Sequence, residues 1–182
     1  MKQHIASGAL VTVLAFGGLW GCSKTETKSP DVSSQIRNSL DQAGLKDVSV
    51  SQDRDKGVVT LGGTATSEGD KGQAESIAKS IAGSEVVSNQ IAVRPPGDES
   101  TAKTVDSDLD KGIEKNLDAA LVRHKLNHAV KYDVKNGVVT LTGNVGSQSQ
   151  RNGVEKLASG VPNVKQVVNE VEVKGQKASS SD

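Results

Sequence analysis

Aromatic residues are nearly absent: Phe, Trp and Tyr occur once each in 182 residues. Phe16 and Trp20 both lie in an apolar N-terminal run, which leaves Tyr132 alone downstream. One ring is a poor supply of the stacking platforms that hold single-stranded nucleic acid, so no nucleic-acid partner is expected. The core has to be built from Val, Ile, Leu and Ala. Cysteine is as scarce. Cys22 is the only one, which excludes an internal disulfide. Net charge is missing too, with 22 Lys+Arg against 22 Asp+Glu, so the total selects no strongly acidic or basic partner. Catalytic constellations are equally thin. Gly63 and Gly69 have the wrong spacing for a phosphate loop, and Asp70 stands where Lys is needed. Asp53 and Asp55 flank a turn, where solvated carboxylates are ordinary. His124 and His128, four apart, would share a helix face as a two-point metal site wants, yet no third ligand accompanies them. No catalytic residue, metal or cofactor is expected, and the chain is read as non-enzymatic.

What is present begins with an address. Lys2 precedes an uncharged, mostly apolar run from Ile5 to Trp20, too short to span a bilayer as a straight helix and weakened by Gly8, Gly17 and Gly18. It ends in Leu19-Trp20-Gly21-Cys22, which resembles the lipobox of bacterial lipoproteins. That resemblance implies a signal peptide at 1–21, cleavage before Cys22 and acylation of its thiol and new amine. Trp20 departs from the small or β-branched residue usual there, which predicts slower processing. Ser23, where Asp would favour inner-membrane retention, implies the outer membrane, with the protein facing the periplasm of a Gram-negative cell. Each buried CH₂ is worth about 0.8 kcal/mol, so three chains anchor essentially permanently. Residues 22–30 are expected to be a short lipidated tether.

The rest is one module written twice. Gly57-Val58-Val59-Thr60-Leu61-Gly62-Gly63 recurs as Gly137-Val138-Val139-Thr140-Leu141-Thr142-Gly143, and the register continues through Asn89 and Asn169 to Val93 and Val173. Domains are expected at 31–93 and 107–173, a linker at 94–106 around Pro95-Pro96-Gly97, and a disordered tail at 174–182. Val32, Ile36 and Leu40, like Leu109, Ile113, Leu117 and Leu121, make a helical stripe spaced by four. Alternating Val130, Tyr132 and Val134 run into Asn136-Gly137, a strong hairpin signal because a type I′ turn needs positive φ at both positions. The next strand is read as stopping at glycine, Gly63 or Gly143, either as a terminus of unusual φ or as a close approach of backbone to a ligand. A second helix carries Ala74, Ile77, Ala78 and Ile81, or Val154, Leu157, Ala158 and Val161. Ser147 with Gln150 resembles a capping box, Ser67 with Asp70 a weaker one, and Pro162 closes the second copy's helix. Val87, Ile91 and Val93 mark a last strand. Asn89 and Asn169, on that strand, are read as satisfying nearby backbone groups. The fold class is therefore α+β: two αββαβ modules, each a three-stranded mixed sheet packed by two helices. Each is near the lower size limit for independent stability, which allows some packing between the copies without deciding whether they do pack.

The Gly-Val-Val-x-Leu-x-Gly block, the small-residue helix and the Val-x-Asn-x-Ile/Val-x-Val ending resemble the BON (bacterial OsmY and nodulation) domain, over roughly two-thirds of the chain. Tandem BON domains behind a lipobox are familiar among Gram-negative envelope lipoproteins. The resemblance implies a non-enzymatic, envelope-protective protein with a role in binding phospholipid.

The copies differ in charge. Residues 31–93 carry nine acids and six Lys/Arg, whereas 107–173 carry eight acids and nine Lys/Arg. From Ala119 to Tyr132 there is no acid, while Arg123, His124, Lys125, His128 and Lys131 all occur. Pairing Leu40 with Leu117 and Val50 with Val130 makes copy two three residues longer here. This stretch is the expected contact for anionic phospholipid headgroups, against the plainer reading of a solvated basic loop. The alternative function is a periplasmic protein-interaction adaptor or holdase chaperone, with envelope proteins as partners.

Overall fold

The computed structural model describes residues 28–174; the expected signal at 1–21, Cys22 and the tail beyond Lys174 lie outside the described residues. The first module runs α1 (Ser33–Gln42), β1 (Val48–Asp53), β2 (Val58–Ala65), α2 (Glu68–Ala82), β3 (Val86–Asn89) and β4 (Ala92–Val93). The second runs α3 (Glu99–Arg123), β5 (Val130–Lys135), β6 (Val138–Val145), α4 (Gln148–Ser159), β7 (Gln166–Asn169) and β8 (Glu172–Val173). In each, the hairpin β1–β2 or β5–β6 is antiparallel, and the strand after the second helix returns parallel to β2 or β6. The α+β class and the twofold αββαβ repeat are thus the architecture. The last strand is broken. β3 pairs with the first half of β2 and β4 with Thr64 and Ala65, and Gln90 and Ile91 make the break.

The helices lie on the sheet face that carries most of the apolar side chains. Ile36 and Leu40 of α1, Ala74 and Ala78 of α2, and Val59 and Leu61 of β2 are fully buried together. Ile113, Leu117, Leu121, Val139, Leu141, Val154 and Ala158 repeat this core in the second module. Ser67 Oγ accepts from Asp70 N at 3.1 Å and Ser147 Oγ from Gln150 N at 3.2 Å, so both second helices start at the expected caps. Gln150 Oε1 answers with Gly146 N, one residue before the cap. α4 stops at Ser159, three residues short of Pro162.

Five expectations need correction. First, α3 begins at Glu99, so most of the interval 94–106 is helix and the connection shrinks to residues 94–98. Second, Leu109 does not join the core but is 38% exposed, because α3 overhangs its sheet at that end. Third, β2 and β6 pass through Gly63 and Gly143 instead of stopping there. Fourth, Ser29 and Pro30 belong to the module, not to a free tether: Ser29 N donates to Arg54 O at 2.9 Å and Pro30 O accepts from Gln52 Nε2 at 2.7 Å. Fifth, the copies align differently. Leu45 N bonds Leu40 O as Leu126 N bonds Leu121 O, so Leu40 matches Leu121. Val48 and Val130 face Gly63 and Gly143, so Val50 matches Tyr132. Copy two therefore gains one residue before its first strand, not three, and its hairpin turn, 136–137 against 54–57, is two shorter.

Candidate functional site

A hollow lies beside the same glycine position in each module. Gly63 and Gly143 have φ of +81° and +116°, and a Cβ there would lie 2.1 Å from Asp47 O and 2.2 Å from Ala129 O. The close approach is to the chain's own loop, and Thr64 N and Asn144 N bond those same carbonyls at 3.1 and 3.0 Å. Beside each of these glycines, loop and strand leave a concavity. In the first module it is lined by Asp47, Asp70 and Glu99 with Lys46 and Arg94. In the second it is a hollow of about 470 Å³ lined by His128, Ala129, Lys131, Gly143, Asn144 and Lys174, without an acid. The first hollow mixes three carboxylates with two cations, whereas the ionisable side chains of the second are all basic.

Of the five basic-stretch residues, the fold brings His128 and Lys131 together and adds Lys174 from the end of β8. Lys174 escaped the sequence reading because it was assigned to the tail. Arg123, His124 and Lys125 do not line the hollow; they end α3 and begin the following turn, all exposed. His124 caps α3 and His128 lies beyond it, so the two do not share a helix face. Among the described residues no group of three or more His, Cys, Asp or Glu is placed to hold a metal, and no helix is long and apolar enough to cross a membrane.

Asn89 and Asn169 sit at the strand break. Each Oδ1 accepts from the backbone two residues on, Ile91 N at 3.3 Å or Val171 N at 3.2 Å, and each Nδ2 donates to a helix carboxylate, Glu75 or Glu155, at 2.9 Å. The hydrogen bond from Asn89, reinforced by Lys79, holds the Glu75 carboxyl below its ordinary pKa. Gly57 and Gly137 close the hairpins with φ of +64° and +81°, and Asn136 at +52° completes the expected turn. Asp110 of α3, unsuspected from sequence, accepts from Asn136 N and Gly137 N, both at 2.8 Å.

The modules also meet. Val58, Val138 and Val168 form a small buried cluster across the junction. Gln166 Oε1 accepts from Asn89 N at 3.0 Å while its Nε2 donates to Val87 O at 2.7 Å, so one side-chain amide completes the ladder of edge strand β3. Asn136 Nδ2 donates to Gln90 O at 2.7 Å, and Lys56 Nζ reaches Glu170 at 2.5 Å. Positions 56 and 136, and 90 and 170, are repeat equivalents, so these contacts are related by a pseudo-twofold.

Residues 29–95 and 109–175 each match the family model described as BON domain. The chain is 31% identical over 137 residues to Osmotically-inducible protein Y of Escherichia coli (strain K12), covering 74% of this chain and 67% of that protein. It is 35% identical over 124 residues to an Anaplasma centrale protein described as "Uncharacterized protein in gshII 5'region", covering 67% of this chain and 80% of the relative. Among solved structures it is similar to the C-terminal domain of CdsD, the structural protein of the Type III secretion system of Chlamydia trachomatis. That likeness has 16% identity and a TM-score of 0.32, and covers 79% of this chain and 66% of the other.

Proposed function

The chain belongs to the BON-domain family, and from that premise we propose that it is a lipid-anchored envelope protein whose second module contacts anionic phospholipid. The wider part of this reading, an envelope or periplasmic protein of the osmotic-stress response without catalytic activity, is supported by the family and by the relative named as osmotically inducible. The anchor on Cys22, the outer-membrane location and the support of membrane integrity draw on the lipobox-like Leu19-Trp20-Gly21-Cys22 and on Ser23.

One observation carries the lipid contact: the hollow at His128, Lys131 and Lys174 is free of acid, whereas its counterpart holds Asp47, Asp70 and Glu99. Each Lys or Arg near an anionic surface contributes about 1 kcal/mol, so the two lysines hold weakly alone. A tether raises local concentration and makes weak contacts count. Co-sedimentation of the full chain with anionic and with neutral vesicles tests the reading. Binding should require anionic lipid, weaken as salt rises, and be lost in Lys131→Glu/Lys174→Glu. Equal binding by this variant and the wild type would refute the headgroup site. A protein-interaction role is favoured by a separate feature, the exposed Val105 and Leu109, four apart on the overhang of α3. It predicts partner capture that is indifferent to lipid charge.

A further inference from the structure

We infer that the cleft between the two modules is a binding site for a phosphate group. The cleft, about 310 Å³, is lined by Lys71, Glu75 and Lys79 of α2, Asn89 of β3, Val138 of β6, and Lys165 with Gln166 at the start of β7. Three ammonium groups from two modules thus face one carboxylate. That carboxylate is already engaged, pairing with Lys79 at 2.5 Å and accepting from Asn89 at 2.9 Å. Among the described residues neither Lys71 nor Lys165 forms a salt bridge. Lys71 is half-buried and its Nζ donates to Ile91 O at 2.8 Å, which fixes the ammonium at the cleft wall. Burial first, then the nearby charge of Lys165, push Lys71 below the ordinary lysine range. Lys71 and Lys165 are like charges close enough to repel, only partly offset by Glu68, Asp106 and Glu75, and a doubly charged anion between them removes that cost while accepting from both.

The pseudo-symmetric position cannot do the same. There Arg151 takes the place of Lys71 and is spent on Asn169 O and Val171 O at 2.6 and 2.8 Å. Ser159 replaces Lys79, and Glu85 stands at the position of Lys165. The chain carries the basic cleft once, on the α2 side, away from the residues of the His128 hollow. Free phosphate, a soluble phosphomonoester and a lipid headgroup share the chemistry it would take.

The test is titration of the full chain with inorganic phosphate against chloride at matched ionic strength, followed by the amide resonances of Asn89, Val138 and Gln166. Saturable shifts are expected, weakened at least about tenfold in Lys165→Met, which keeps the packed methylene stem and removes the charge. Lys165 is exposed, so the melt of that variant should be unchanged. Anionic vesicles that move the same resonances would make a lipid headgroup the occupant; vesicles that leave them still, with phosphate moving them, would make it a soluble phosphate. Absent shifts, or equal shifts in wild type and Lys165→Met, overturn the site.

Discussion

Lys125 occupies a position that suits glycine. It follows the cap of α3 with φ of +56°, where the first module has Gly44 at +81°, and the same pair of closing hydrogen bonds ends both helices. A Cβ in this left-handed region costs roughly 1–2 kcal/mol. The strain falls on a cation of the acid-free stretch, a choice that stability alone does not explain. Lys125→Gly should therefore raise stability by about 1 kcal/mol in urea unfolding while weakening anionic-vesicle binding. Unchanged vesicle binding would remove Lys125 from the headgroup contact. The opposite experiment applies at Gly143. Its Cβ would lie 2.2 Å from Ala129 O, so Gly143→Ala should cost at least about 2 kcal/mol in the same assay, through positive φ and backbone collision together. A melt like the wild type's would mean that the backbone there relaxes freely. The need for glycine was legible in the sequence, but not what approaches it, because a loop carbonyl leaves no mark in residue type.

At the scale of elements, α3 separates pattern from packing. Its stripe of Leu109, Ile113, Leu117 and Leu121 is regular, yet only the last three meet a sheet. Leu117→Ala should cost about 2–5 kcal/mol, as should Leu61→Ala and Leu141→Ala in matched core positions. Leu109→Ala should stay within about 0.5 kcal/mol. A large loss at Leu109, measured by thermal melting, would show that the overhang is covered in solution. Hairpins, caps and both core stripes were legible because each rests on a local rule: turn φ, an orphan helix N–H, a period near 3.6. The start of α3 was not, since Pro95-Pro96-Gly97 signals a break without saying how soon a helix resumes. The alignment of the copies also misled. Identical blocks eighty apart hide an added residue before β5 and two missing from the turn after it, and only strand register separates these.

The whole molecule depends on groups that have no periodicity. Gln166, Asn136, Lys56 and Glu170 join the modules, and as isolated polar residues in a sequence they look like surface. Gln166 carries the most specific of these contacts, since its amide satisfies both Asn89 N–H and Val87 O as a neighbouring strand would. In Gln166→Ala both groups lose their partner, a penalty of about 1–3 kcal/mol, toward the lower end once water enters. The Val58, Val138 and Val168 cluster is small, so it should not hold the junction alone. Beside the neutral hydrogen bond from Asn136 to Gln90 O, a further latch is electrostatic, between Lys56 and Glu170. Its hydrogen bond with Glu170 raises the Lys56 ammonium above its ordinary pKa. A raised folded pKa means that the contribution is complete below the unfolded value and disappears as pH rises through the folded one. At neutral pH the variant should therefore keep its modules together with a weakened junction, and melting should begin to split into two transitions. At a pH above the lysine range the Lys56 contact is lost as well, which leaves only Asn136 and the small valine cluster at the junction, and small-angle scattering should report a larger radius of gyration for Gln166→Ala than for the wild type. Equal radii for the two proteins at both pH values would mean that the modules are held by something other than these side chains.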